Sequence, residues 1–121
     1  MKFKKDDLGL FEKALKYWGE AQIYMLFEEM AELQKAICKN HRGVDNRDNI
    51  IEEIADTLIM LKQMERFFRI TEKEVSDAIQ YKLDRLEKKI LLKECESGES
   101  GEIKCYKRKN RKQNKRNLKW E

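Results

Sequence analysis

Two acidic runs hold the side chains best suited to chemistry: Phe27-Glu28-Glu29-Met30-Ala31-Glu32 and Ile51-Glu52-Glu53-Ile54-Ala55-Asp56. Each places carboxylates three and four residues apart, which on a helix puts them on neighbouring turns of one face. With Leu26 at the centre of the first helix's apolar stripe, Glu29 falls about 60° from that centre and Glu32 about 120°. Glu28 points to solvent. With Ile50, Leu61 and Phe68 marking the apolar side of the second helix, Glu53 lies about 60° off, between Met60 and Met64. Asp56 sits at the border of that arc and Glu52 outside it. The candidates are therefore Glu29, Glu32, Glu53 and Asp56, a Glu-x-x-Glu facing a Glu-x-x-Asp. Four ionised carboxylates beside a packed face repel one another and resist desolvation, so a positive partner is required. Oxygen ligands without a neighbouring Cys or His pair select magnesium or manganese over zinc. The plainer reading is that these are solvated acids pairing with Lys35, Lys39 and Lys62.

The elements that must position these acids are helices. The chain contains no proline and only five glycines, which favours long uninterrupted helices over a turn-rich β fold. Leu8, Phe11, Leu15 and Trp18 recur at helical spacing and predict a helix over residues 7–18 that stops at Gly19. Residues 20–40 predict a second, with Ile23, Leu26, Met30, Leu33 and Ile37 as its stripe. The run HRGVDN is a loop. A third helix extends from about Asp48 to Arg69, apolar on most of its circumference and so central to a bundle. Thr71 and Glu74 form a capping box that opens a fourth helix, residues 72–94, with Val75, Ala78, Ile79, Leu83, Leu86 and Ile90 as its inner face. The expected architecture is an all-α four-helix bundle, residues 1–94, followed by a linker over 95–103 and a basic tail over 104–121. A short extended piece near residues 103–106 is the sole β candidate.

Charge divides along the same line. Residues 1–103 carry 18 basic and 22 acidic side chains, a balance of −4, whereas residues 104–121 carry nine and one, a balance of +8. The tail suits a weak, salt-sensitive contact with nucleic acid or another anionic surface, or else a solubilising extension. Cys38, Cys95 and Cys105 show neither metal-type spacing nor the even number of a disulfide framework. No apolar run approaches a membrane span, and the N-terminus lacks a signal-peptide core. These features lead to the expectation of a cytoplasmic protein with no membrane association.

The series Glu28-Glu29-Met30-Ala31-Glu32 and, about two dozen residues on, Glu53-Ile54-Ala55-Asp56 resembles the E-E-x-x-E … E-x-x-D signature of the MazG-like all-α nucleoside triphosphate pyrophosphohydrolases. The resemblance spans residues from about 15 to 92. It implies hydrolysis of a nucleoside triphosphate to a monophosphate and pyrophosphate. Mg2+, or Mn2+, would be held by Glu29, Glu32, Glu53 and Asp56, with Glu28 orienting the attacking water from just outside the ligand set. It also implies a homodimer or a dimer of dimers. Lys82 and Arg85 on the fourth helix occupy the region where this family places phosphate contacts, although an asparagine usual there is absent. Lys39, two turns beyond Glu32, is a further phosphate candidate. Met60 and Leu61 stand where the phosphoribosyl-ATP branch carries a histidine. Trp18 and Tyr24 offer faces for a base, though aromatic residues at helical spacing are more often core. His41 has no assigned role. The competing class is a non-catalytic helical adaptor or nucleic-acid-binding protein that works through its tail.

Overall fold

The computed structural model of the chain describes residues 2–98. Four helices follow one another: α1 (Lys5–Trp18), α2 (Ala21–His41), α3 (Arg47–Phe67) and α4 (Glu72–Glu96). No strand occurs among the described residues, so the chain is all-α. The chain divides into two compact units, Met1–Thr71 with α1 to α3 and Glu72–Glu121 with α4. No described helix is long and apolar enough to cross a membrane. The tail, most of the expected linker and the β candidate near residues 103–106 lie outside the described residues.

Helix boundaries follow local chemistry. The backbone N–H of Lys4 donates to the Asp7 carboxylate at 2.7 Å, which satisfies one of the orphan donors at the start of α1. Gly19, at φ 50, ends that helix. The ends of α2 and α3 share one device, a Schellman motif. After α2, Gly43 donates to the Asn40 carbonyl and Val44 to that of Lys39, with Gly43 at φ 97. After α3, Arg69 donates to the carbonyl of Arg66 and Ile70 to that of Glu65. Here the left-handed position is filled by Arg69, at φ 56. That turn ends α3 at Phe67, two residues short of the expected boundary. A side chain in this conformation carries a steric cost that glycine escapes, partly offset by glycine's greater freedom when unfolded. Arg69→Gly is therefore expected to stabilise the protein by about 0.5–1 kcal/mol. A denaturant midpoint below that of the wild type would contradict this.

Within the first unit, α2 and α3 form an antiparallel hairpin across the 42–46 loop, and α3 also meets α1. Cross-contacts fix the register. Gln22 donates to Gln63 at 2.6 Å near one end, Thr57 reaches the Glu29 carbonyl midway at 3.4 Å, and Asn46 donates to the Ala36 carbonyl at 2.9 Å beside the loop. The buried apolar residues of this unit are Phe11, Ala36, Met60 and Met64, and no large side chain in the described residues is wholly enclosed. Arg66 pairs with Glu12 and so joins α1 to α3.

The packed face of α2 departs from the expected stripe. Gln22, Leu26, Glu29, Leu33 and Ala36 turn inward, while Met30 and Ile37 remain exposed. The face is rotated by about 60° from the apolar maximum. Two features account for this: the small Ala36 admits close approach, and Gln22 has a buried partner in Gln63. On α3 the inward residues are Glu53, Thr57, Met60 and Met64, whereas Leu61 and Phe68 are exposed. Trp18 and Tyr24 are exposed rather than core. On α4, Val75 and Ala78 are partly covered, but Ile79, Leu83, Leu86 and Ile90, expected on its inner face, are exposed.

Candidate functional site

The rotation of both helices carries acids into the α2–α3 seam. Glu29 and Glu53 are partly buried and Asp56 is exposed at the rim. Each of the three offers a carboxylate oxygen within 4.8 Å of the others, a spacing that one divalent cation can bridge from both helices. Glu32 is exposed and stands outside this group of three. Glu28 and Glu52 are exposed, as expected from the helical wheel.

The surroundings hold this arrangement from below. Thr57, one turn past Glu53, donates to the Glu53 carbonyl at 2.8 Å and lies against the Glu29 carbonyl of the facing helix. It clamps the two backbones directly under the carboxylates. Asn49, one turn before Glu53, donates to Glu53 Oε1 at 3.3 Å and orients that carboxylate. Neither residue stands out in the sequence. Asn49 leaves a usable signal, because an amide four residues before a carboxylate on one helical face is a standard pairing. Thr57 leaves none, since its contribution depends on the approach of the other helix.

Electrostatics at the site are uncompensated. The second oxygen of Glu53, Oε2, is buried and has no hydrogen-bond partner. No ion pair among the described residues engages Glu29, Glu53 or Asp56, and Lys62, a candidate partner for these acids, pairs with Glu65 at 3.1 Å instead. Burial, followed by the charges of Asp56, Glu53, Glu28 and Glu32, raises the pKa of Glu29 above the usual carboxylate value. A buried oxygen without a donor, in a cluster of carboxylates without an ion-pair partner among the described residues, is of a chemistry that a hard divalent metal can accept.

No family model, curated protein or solved structure matches this chain. The site therefore rests on its own geometry.

The expected phosphate contacts fall in different places. Lys39 is exposed on α2, in the same unit as the carboxylates. Lys82 and Arg85 belong to α4, where each lies over the ring of Tyr81, at 5.6 Å and 5.8 Å from its centroid. Tyr24 meets Phe27 edge to face, with centroids 6.3 Å apart, on the exposed side of α2.

The raised pKa has a consequence for pH. The folded, metal-free chain holds the Glu29 proton more tightly than the unfolded chain does, so its stability falls as pH rises from the ordinary carboxylate value through the raised one. A cation competes with that proton. Were magnesium to bind at these carboxylates, the rise in melting temperature it produces is therefore expected to be absent below this window and complete above it. Glu29→Gln is expected to stabilise the metal-free protein at neutral pH and to remove the magnesium response. Melts with and without magnesium across acid to neutral pH test both statements, and a metal shift that ignores pH would refute them.

Proposed function

We propose that this chain is a magnesium-dependent nucleoside triphosphate pyrophosphohydrolase that converts (d)NTP to (d)NMP and pyrophosphate. The observation that supports it is the convergence of Glu29, Glu53 and Asp56 from two antiparallel helices around a buried, unpartnered carboxylate oxygen. In this reading Glu29, Glu53 and Asp56 hold Mg2+ or Mn2+, and Glu32 is a further ligand at the rim. Bound there, the cation would supply charge neutralisation at the phosphate oxygens and acidify an attacking water. Glu28, exposed one position before Glu29, orients that water. Lys39, in the same unit as the carboxylates, is proposed to meet the phosphates. Asn49 and Thr57 keep the acids aimed.

The proposal extends to the setting of the activity. It takes the fold as of the pyrophosphohydrolase type, acting on free nucleotides in the cytoplasm as a homo-oligomer. Ile51, Ile54 and Leu61 on α3 are exposed among the described residues and would be covered by a second copy. A pyrophosphate-release screen across normal and modified nucleoside triphosphates, with magnesium and with manganese, tests the reading. Release from at least one substrate, abolished by a chelator, is expected. No release from any of them, together with retention of nucleic acid that is lost on deleting residues 104–121, would replace the enzyme with a binding protein.

A further inference from the structure

Helix α4 carries an apolar stripe that is exposed among the described residues. Ile79, Leu83, Leu86 and Ile90 are between 49% and 53% exposed, and a shallow hollow of about 310 Å³ runs beside Leu83, Leu86 and Ile90. Their spacing of four, three and four is the alternation of a heptad seam. With Leu83 and Ile90 as its a positions and Ile79 and Leu86 as its d positions, the flanks are set. Lys82 and Lys89 occupy g; Gln80, Glu87 and Glu94 occupy e. All the cations therefore edge one side of the seam and all the anions the other.

That segregation selects both a partner and a direction. In a parallel pair, each g residue faces the e residue five positions on in the other helix. Lys82 then meets Glu87 of the partner subunit, and Lys89 meets Glu94 of the partner subunit. In an antiparallel pair g faces g and e faces e, so lysine would face lysine and glutamate would face glutamate. No ion pair among the described residues engages the side chains of Lys82, Glu87, Lys89 or Glu94 within the chain.

We propose that α4 docks in parallel against α4 of a second copy of this chain, along the Ile79–Leu83–Leu86–Ile90 seam and with Lys–Glu pairs on both flanks. The seam has four apolar layers, and Lys93 follows at the next d position. So short a seam belongs with small, concentration-dependent contacts and not with obligate ones. The contact is separate from the carboxylate site and independent of the proposed activity. It gives Lys82 work other than holding phosphate.

The mass of the full-length protein in solution, measured by light scattering over a concentration series without any cation, tests the proposal. Lys82→Glu with Lys89→Glu, and separately Glu87→Lys with Glu94→Lys, are each expected to halve the mass of the wild-type assembly. An equimolar mixture of the two variants restores it, because every g–e contact is again between opposite charges. Lys82, Glu87 and Lys89 are exposed and Glu94 is half-buried, so the fold is expected to stay intact, which circular dichroism checks. A second measurement fixes direction: Ile79→Cys, with Cys38, Cys95 and Cys105 changed to serine, is expected to cross-link to its own counterpart under mild oxidation. In an antiparallel pair that cysteine would lie opposite residue 90 and would not cross-link. A monomeric wild type, a mass unchanged by charge reversal, or failure of Ile79→Cys to cross-link would each overturn the proposal.

Discussion

Glu53→Gln is expected to lower magnesium-dependent pyrophosphate release by at least about 100-fold, since loss of even an outer-shell partner of a metal commonly costs 10- to 100-fold. The substitution is nearly isosteric. Asn49 can still donate to Oε1 of the new amide, and the buried Oε2, which lacks a donor, becomes an NH2 group beside two carboxylates. The fold should therefore survive, and the metal-free protein should melt no lower than the wild type, because one of three crowded negative charges is gone. Three readings taken together carry the test: turnover lost, melting temperature maintained, and any magnesium-induced rise in melting temperature lost. Turnover equal to the wild type would remove Glu53 from the metal site. A melting temperature that collapses would recast Glu53 as a structural residue, and the unpartnered oxygen would then lose its significance.

Part of this site is legible in the residue pattern alone, and the missing part has a definable cause. Carboxylate spacing places Glu29, Glu53 and Asp56 on facing helical surfaces, and Gly19 and the glycine of the 42–46 loop mark two helix ends. The orientation of each helix is less accessible. Apolar periodicity reports every surface a helix must cover, including surfaces covered by something other than its nearest neighbour. On α2 the apolar maximum includes Met30 and Ile37, but the face that meets α3 is built on Ala36 and on the Gln22–Gln63 hydrogen bond. A small residue and a polar pair weigh little on a hydropathy scale, yet they decide which side of the helix comes closest. The rotation they cause brings Glu29 into the seam and leaves Glu32 at its edge. The same reasoning explains α4, whose most regular apolar stripe is the exposed one. Arg69 gives no warning, because a left-handed residue that is not glycine leaves no compositional mark.

The attachment of α1 gives the largest expected effect on stability. Phe11 is the buried residue of α1, 7% exposed, and Phe3 meets its ring edge to face with centroids 5.2 Å apart. The other tie described, the ion pair of Glu12 with Arg66, sits at an exposed position and contributes little. Phe11→Ala removes the anchor and leaves a hole that this thin core cannot easily close, at a cost of about 3 kcal/mol. In a unit of this size that corresponds to a fall in melting temperature of more than about 10 °C. The carboxylates belong to α2 and α3, so while the variant remains folded its response to magnesium should match that of the wild type. A large loss of stability with the metal response preserved would separate the element that stabilises the unit from the pair that carries its chemistry. A loss below about 1 kcal/mol would mean that α1 is held elsewhere, and abolition of the magnesium response would mean that α1 helps to set the spacing of Glu29, Glu53 and Asp56.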